Sequence, residues 1–483
     1  MNATSSWLAT WARFRPDAEA LYDVGTGRRW TYAQLLEDSR RWAAHLQGLG
    51  VGSGDRVAVL AHNRGETLAL LFAVADLGAI LFPMNWRLSV AELEWQLQDA
   101  DVSVLFADAT HASTLAGALA LSLPTGTQAL ESAPGSQLDD PWVLMYTSGT
   151  SGRPKGALLS HRQLHWNAVN TTLACHLTAD DSTLTFAPLF HTGGLNCLTS
   201  PLLHRGGRVV LVPRLDIGQA LELIATERIT LLMGVPTIYQ MLADHPDFSR
   251  CDLSSVRDAL CGGAPLPMPL LQRYQSRSIP LRQGFGLTEV GPNCFSLPPG
   301  DTVRKSGSVG LPIHHIAAKL VRPDGSECAD DEPGELLLSG PVVFAGYWRN
   351  AEATHAALTD GWFHTGDVLS RDSDGYFSVR GRLKEMYISG GENVYPAEIE
   401  AAIAECPGVA LAAVIAAPDE RWGEVGHAFI EPQPGVALTS AAIAAHLGDR
   451  LARFKQPKRI EVVNELPRTG SGKIDKQKLR TQP

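Results

Sequence analysis

The chain has 483 residues, 45% hydrophobic and 19% charged, a globular composition that excludes a disordered, collagen-like or small disulfide-stapled protein. With 41 Lys/Arg against 51 Asp/Glu the formal charge is −10, which argues against a nucleic-acid partner, since that function normally shows as a basic surface. The length predicts about two to four domains or subdomains.

The seven cysteines, Cys175, Cys197, Cys251, Cys261, Cys294, Cys328 and Cys406, include no CxxC pair, so a reduced, cytoplasmic protein with buried thiols is expected. No basic start leads into an apolar run, and no signal peptide is expected. Thr31 and Gln34 have the spacing of a capping box, and Leu35, Trp42, Leu46 and Leu49 then share a helical face that Gly50 ends. Arg56 to Leu60 reads as a short apolar strand, followed by a helix from about Glu66 and a second strand from Ala79 to Phe82. The most apolar stretch, residues 68–84, is broken by Asp76, Gly78 and Pro83. It reads as a buried helix and strand rather than a bilayer span, which needs about 20 apolar residues.

Strand, helix and strand at this spacing imply a parallel sheet covered by helices. Further strands are expected at 102–107, 142–146, 184–187, 208–212 and 231–233, with a helix over 217–227 and a weakly patterned, partly helical connector over 109–140. After about Gly300 short alternating strands, 317–321 and 335–338, suggest an antiparallel subdomain. Beyond Arg382 about 100 residues mix helix (397–405) and strand (409–416). From Arg450 onward ten Lys/Arg face three Asp/Glu, a basic tail suited to phosphates or simply to solvent.

The strongest chemical signal is Tyr146-Thr147-Ser148-Gly149-Thr150-Ser151-Gly152-Arg153-Pro154-Lys155-Gly156, between two apolar strands. Residues 147–156 hold four hydroxyls, three glycines and two cations. Glycines let backbone N–H groups approach an anion, hydroxyls donate, and Lys155 adds charge; the bland alternative is a polar surface turn. Pro154 rules out a Walker A loop.

This loop resembles the phosphate loop of the adenylate-forming superfamily, which holds acyl-CoA synthetases, adenylation domains and luciferases. Six further blocks resemble that superfamily in order. Gly262-Gly263-Ala264-Pro265-Leu266 resembles its adenine-side loop, and Gly284-Phe285-Gly286-Leu287-Thr288-Glu289 its G-Y-G-x-T-E block. Gly361-Trp362-Phe363-His364-Thr365-Gly366-Asp367 resembles its ribose block. Gly381-Arg382-Leu383-Lys384-Glu385 resembles its hinge, Ser389-Gly390-Gly391-Glu392-Asn393-Val394-Tyr395-Pro396 the loop after it, and Pro467-Arg468-Thr469-Gly470-Ser471-Gly472-Lys473 its lysine loop. Phe285 stands where tyrosine is usual, Glu385 where aspartate is, and Tyr387 where an aliphatic residue is common.

The resemblance implies an α/β fold: a large N-terminal domain of layered α/β subdomains plus a β subdomain (1–381), a hinge (382–385) and a small mobile α+β C-terminal domain (386–483). It implies ATP, Mg²⁺ and CoA as ligands. ATP would meet Thr147, Ser148, Gly149, Thr150, Ser151, Gly152 and Lys155, then Gly263, Ala264 and Pro265, then Gly284, Phe285 and Gly286. Asp367 would hold its ribose, and Arg382 would donate to the same sugar or to phosphate. Lys473, Glu289, Thr288 and His191 are the expected catalytic residues, with Glu289 a hard oxygen ligand for Mg²⁺. Lys384 is the expected pivot, and Ser389, Gly390 and Gly391 would line the thiol path. His191, Gly193 and Gly194 would wall the acid pocket. In amino-acid adenylation domains an aspartate commonly holds the substrate amine at this site, so His191 favours an acid without an α-amino group. His161 and His165, four apart, lack the glutamate of HExxH and are not read as a zinc site.

The expected function is an ATP-dependent acyl-CoA synthetase acting on a fatty or aryl acid through an acyl-adenylate. The same blocks would serve an enzyme loading a carrier-protein thiol or a luciferase-like oxygenase. A non-catalytic nucleotide-binding protein is disfavoured by the joint presence of Glu289, Asp367 and Lys473. The expected partners are small molecules, with no integral membrane segment and a homodimer left open.

Overall fold

The computed structural model describes residues 6–130, 136–147, 154–389, 392–419, 421–448, 450–469 and 473–480. The chain forms two compact units: residues 1–306, 310–317 and 338–363 make the first, and 307–309, 318–337 and 364–483 the second. The first unit is α/β and layered, as expected. Its helix Tyr32–Gly48 begins at the Thr31 capping box, in which the Thr31 hydroxyl accepts the Gln34 backbone N–H and Gln34 Oε1 accepts the Thr31 backbone N–H. Such a cap contributes about 1 kcal/mol. Leu35, Trp42 and Leu46 bury the face predicted from their spacing.

Two sheets organise this unit. A nine-stranded sheet runs in the order Leu311–Pro312, Gly291–Ser296, Leu281–Leu287, Asp258–Cys261, Leu231–Gly234, Ser182–Thr185, Arg208–Leu211, Glu19–Asp23 and Arg28–Thr31. Its centre is parallel and its edges antiparallel. Leu184, Val210, Leu232, Ala259 and Leu281 bury one common core with Ile224, Tyr239 and Tyr274 from the covering helices. A seven-stranded sheet runs Gly346–Tyr347, Lys155–Ser160, Pro141–Thr147, Ile80–Pro83, Arg56–Leu60, Val104–Ala107 and Leu119–Ala120. Every residue of helix Gly65–Leu77 is buried, which explains its lack of a polar stripe. Among the described residues no helix is long and apolar enough to cross a membrane.

The strand order of each sheet reverses within its parallel part. The chain leaves Ser182–Thr185 for Arg208–Leu211 on one side and then returns to Leu231–Gly234 on the other. It likewise leaves Arg56–Leu60 for Ile80–Pro83 and returns to Val104–Ala107. Such reversals open crevices outside the carboxyl ends of parallel strands.

The connector over 109–140 departs from expectation: its described residues form turns and the two-residue strand Leu119–Ala120, and no helix. The Asp108 carboxylate accepts the His111 N–H, an Asx-type turn that competes with helix initiation, and Gly117 and Gly126 adopt left-handed φ. All seven cysteines are unpaired, five of them buried.

In the second unit, strands Ala317–Val321, Gly334–Ser339 and Trp362–Arg371 lie side by side, and Trp362–Arg371 pairs antiparallel with Phe377–Arg382. A second sheet orders Glu392–Val394, Tyr387–Ser389, Gly423–Pro432 and Val409–Asp419, with Arg459–Val462 parallel to Gly423–Pro432. Helices Pro396–Ala404 and Ser440–Gly448 pack on it through Ile399, Ile403, Ile443 and Leu447. Four residues, Leu383 to Met386, connect the two sheets.

Candidate active site

In the first unit the ends of the phosphate-type loop are fixed by an antiparallel pair. Thr147 lies opposite Lys155. Ser148, Gly149, Thr150, Ser151 and Gly152 lie outside the described residues. The Thr147 hydroxyl is 3.5 Å from Glu289 Oε1, and the Tyr347 hydroxyl donates to the same oxygen at 3.0 Å. Lys155 Nζ stands 5.1 Å from the centroid of the Tyr347 ring, within cation–π reach. Burial, and then Glu289, push the Tyr347 phenol well above its ordinary range, so it remains a donor at every working pH.

Glu289 is buried in the single turn Thr288–Val290. Its carbonyl accepts the Phe344 N–H at 2.8 Å, and the carbonyl of Thr288 accepts Gln163 Nε2 at 2.9 Å. Among the described residues its carboxylate meets two hydroxyls and no cation. A buried carboxylate is ordinarily paired, so this donor set leaves acceptor capacity for an incoming cation. A hard divalent ion such as Mg²⁺ fits it, since Mg²⁺ is commonly held by one or two carboxylates and the substrate's phosphates.

The loop expected on the adenine side follows strand Asp258–Cys261. Gly263 takes a left-handed φ of 79°, which glycine adopts without strain. Gln283, on the neighbouring strand Leu281–Leu287, clamps this loop: its Oε1 accepts the Leu266 N–H at 2.7 Å and its Nε2 donates to the Ala264 carbonyl at 2.8 Å, on either side of Pro265. A Cβ on Gly284 would lie 3.3 Å from the Phe295 carbonyl oxygen, and one on Gly286 2.2 Å from Pro292, so the block's glycines allow a close backbone crossing. Phe285 is half-buried, edge-on to Phe295 with ring centroids 5.8 Å apart.

His191 lies at the switch point of the nine-stranded sheet and caps a short turn, Thr192–Gly194. A five-residue π-helical stretch, Leu195–Thr199, follows, and the Thr199 hydroxyl donates to the Gly194 carbonyl at 2.7 Å. Such π turns recur at functional sites. The two glycines are not equivalent. A Cβ on Gly193 would meet the flexible end of Met233, Cε, at 2.9 Å, whereas one on Gly194 would fall 2.1 Å from the Pro188 carbonyl oxygen.

The second unit joins the two expected ribose residues. Asp367 and Arg382 are cross-strand partners, and Arg382 Nε lies 2.6 Å from Asp367 Oδ1. The Thr365 hydroxyl accepts the Asp367 N–H at 3.1 Å. Lys384 is exposed in the four-residue link. Ser389 is buried at the end of its strand, while Gly390 and Gly391 lie outside the described residues. Lys473 follows a stretch, 470–472, that also lies outside them. Its carbonyl accepts the Thr469 N–H at 2.7 Å, and Arg468 pairs with Ile474.

Residues 8–348 match the AMP-binding enzyme family, and residues 398–473 match the AMP-binding enzyme C-terminal domain. The chain belongs to the AMP-binding enzyme family. It is 45% identical to a feruloyl-CoA synthase of an Amycolatopsis species over 98% of each chain. It is 40% identical to an indoleacetate–CoA ligase of Aromatoleum aromaticum over 99% of this chain and 97% of that one. Among solved structures, o-succinylbenzoate CoA synthetase from Bacillus subtilis, in complex with the acyl-adenylate intermediate, superposes with a TM-score of 0.91 at 32% identity, covering 99% of this chain and 98% of that one. The match to this AMP-binding enzyme spans both units, and the adenylate-forming membership implied by the seven blocks holds.

Two residues escaped the sequence reading. Tyr347 lies between blocks, and only its Gly-Tyr-Trp context marks it. Gln283 immediately precedes a recognised block, and its two-sided clamp depends on a neighbouring strand. A third feature is a buried group, His62, Asp108 and His111, whose ligating atoms lie within 4.8 Å of one another. Asp108 accepts the N–H of each histidine's backbone and lies 3.3 Å and 2.7 Å from His62 Nδ1 and His111 Nδ1. Arg214 Nε donates to His62 Nε2 at 2.8 Å. That bond makes Nε2 an acceptor and leaves the proton on Nδ1, facing Asp108. The group is therefore a closed hydrogen-bond network with a guanidinium beside it rather than a metal centre.

Proposed function

We propose that the chain is an ATP-dependent acyl-CoA synthetase whose acid carries an aromatic ring. The supporting observation is that the feruloyl-CoA and indoleacetate relatives match it over almost their whole length. They are named for acids in which a short chain joins the carboxylate to a planar ring. The proposed acid pocket is the segment around His191, where Phe190 packs against His191 (ring centroids 4.5 Å apart) and Gly193 faces Met233.

A carboxylate is a weak electrophile, so it is activated first. One carboxylate oxygen attacks the α-phosphorus of ATP, a new P–O bond forms, and the bond to the β-phosphate oxygen breaks as pyrophosphate leaves. Negative charge accumulates on phosphoryl oxygens during this step. Lys155, the Thr147 hydroxyl and Lys473 are the proposed donors that offset it, the kind of preorganised electrostatics on which phosphoryl transfer chiefly depends. Glu289, oriented by Tyr347, would hold Mg²⁺, which supplies neutralising charge to the phosphates when bound. In the second step the CoA thiolate attacks the acyl carbonyl, a C–S bond forms, and the C–O bond to AMP breaks. The AMP phosphate leaves as a stable anion, and the thiol proton passes to solvent. No enzyme nucleophile is consumed. The roles given to His191, Asp367, Arg382, Ser389, Lys384 and Lys473, and the division of the chain at residues 382–385, belong to this proposal.

The test is a panel of acids with ATP and CoA, following AMP and acyl-CoA together. Ferulate, p-coumarate and indoleacetate are expected to exceed palmitate in kcat/KM by at least about 10-fold, the scale of one or two well-filled pocket contacts. Preference for palmitate would refute the aryl reading. AMP release without acyl-CoA would refute CoA as the acceptor.

A further inference from the structure

The second unit holds an ion-pair triad with no part in the proposed chemistry. Lys476 Nζ lies 2.5 Å from Glu385 Oε2 and 2.8 Å from Glu400 Oε1. The three residues come from distant parts of the chain. Glu385 directly follows Lys384, Glu400 lies on helix Pro396–Ala404, and Lys476 is three residues beyond Lys473.

Each arm of the triad is anchored. The Arg382 carbonyl accepts the N–H groups of Glu385 and Met386 at 3.0 and 3.1 Å, and Tyr387 enters the sheet one residue later. Glu400 Oε1 also accepts the Val414 N–H at 2.7 Å, which fixes helix to sheet. At the lysine loop, Arg468 pairs with Ile474 and the Pro467 carbonyl accepts the Asp475 N–H at 2.7 Å. Beyond Lys476, Leu479 is buried with Ala413, Ile415, Phe429 and Leu466. Burial disfavours a charged Lys476, yet Glu400 and Glu385 together raise its pKa above the ordinary value, so it stays an ammonium.

We infer that Lys476 is a positioning residue: through Glu385 it fastens the segment just past the pivot to the base of the Lys473 loop. A turn about Lys384 is thereby confined to residues 382–384, and Lys473 moves as part of one rigid body. The inference rests on the synthetase reading and its hinge. Without the tie, the backbone torsions of Glu385 and Met386 would lie as soft joints between pivot and lysine. Re-fixing one such residue costs backbone entropy equivalent to about 5- to 30-fold in rate, and a misplacement of about 1 Å can cost roughly 100-fold. The two arms differ in consequence. The Glu400 arm holds the local fold, and the Glu385 arm leads to the pivot.

The experiment uses the full chain and an acid that the wild type accepts. It measures acyl-AMP formation by pyrophosphate exchange, thioester formation from supplied acyl-AMP and CoA, and thermal unfolding. Glu385→Ala leaves the Glu400 arm intact. It is expected to slow acyl-AMP formation about 10-fold, the lower part of that entropic range, with KM for ATP, thioester formation and Tm near wild type. Lys476→Met is expected to be slower still in the first half-reaction, with Lys476→Arg recovering most of the loss, and Lys473→Ala marks the floor. Wild-type adenylation in Glu385→Ala, or an equal loss in both half-reactions, overturns the inference while the synthetase reading stands. A wild type that forms no acyl-AMP with any acid overturns both. Should Lys476→Met fail to fold, Glu385→Ala still decides.

Discussion

Tyr347→Phe isolates one hydrogen bond at the proposed magnesium carboxylate. The ring remains, and with it the edge contact to Phe344 (centroids 4.8 Å apart) and the place beside the Lys155 ammonium. Only the hydroxyl that donates to Glu289 Oε1 at 3.0 Å is lost. A hydrogen bond to a charged group contributes about 1.5–3 kcal/mol, and 1.4 kcal/mol is a factor of ten. If Glu289 acts in the adenylating transition state, acyl-AMP formation should slow by roughly 10- to 100-fold. A carboxylate left less well oriented should also require more Mg²⁺ for half-maximal rate. The phenol stays protonated at working pH, so the loss should be level between about pH 6 and 9. The assay is pyrophosphate exchange at saturating acid with Mg²⁺ varied, on the wild type, Tyr347→Phe, Glu289→Gln and the double variant. Because the hydroxyl acts through Glu289, it should add little once Glu289→Gln is in place. An unchanged rate and Mg²⁺ dependence in Tyr347→Phe, or strict additivity in the double variant, would refute the reasoning.

Gly193→Ala should fold, displacing Met233 Cε, and shift the ranking of acids in the panel; an unchanged ranking would move the acid pocket elsewhere. Gly194→Ala has no such freedom against the Pro188 carbonyl and should lose folded yield, so a normally folded variant would contradict the local geometry. Acid should destabilise the first unit through two buried histidines. His161 is stacked on Trp142 at 4.7 Å with both ring nitrogens lacking hydrogen-bond partners among the described residues, and burial pushes its pKa down to about 4, as it does for His204. A folded pKa below the unfolded value leaves stability whole above pH 6.5 and removes it as pH falls toward 4, by about 2 kcal/mol per histidine at pH 5. His161→Phe keeps the stack and should flatten the fall of Tm between about pH 7.5 and 5; an unaltered slope would show that His161 is not responsible.

Legibility in the sequence followed the range of the interaction. The helix Tyr32–Gly48 was readable because its cap and apolar face are encoded within 17 residues. The strands Arg56–Leu60 and Val104–Ala107 were readable as apolar runs, although nothing local stated that they are neighbours. The described residues of the connector after Asp108 form turns where a partly helical stretch is expected, since those turns depend on a carboxylate that also serves His62 from a strand away. At the site, glycine-rich blocks stood out because close backbone approach admits few other residues. Tyr347 and Gln283 did not stand out. Gln283 acts on the Ala264–Leu266 loop that follows the neighbouring strand, and Tyr347 reaches Glu289 from the other sheet, and such contacts are set by the whole fold. The triad of Lys476, Glu385 and Glu400 was hidden for the same reason, as 91 residues separate two of its members.

The same contrast bears on why Glu289 is a better guide to function than the ion pairs around it. Arg282 and Asp258 are also buried and charged, but each satisfies the other, with Nη2 and Oδ2 2.5 Å apart. A closed pair of that kind fixes two strands and offers nothing to a ligand. Asp367 and Arg382 are intermediate: they pair at 2.6 Å, yet much of the guanidinium remains exposed and able to donate elsewhere. Glu289 bears a carboxylate in the interior with hydroxyls alone around it among the described residues, an arrangement that costs desolvation without the return of a cation. Folding on its own would favour a neutral residue there. Adjacent positions break local rules in the same direction: Gly286 crosses Pro292 where no Cβ fits, and Gly291 takes φ = 83°. Where several local penalties gather on one short segment, the compensation is to be sought in what binds there, and a buried carboxylate met by the Thr147 and Tyr347 hydroxyls suits the hard cation proposed for it.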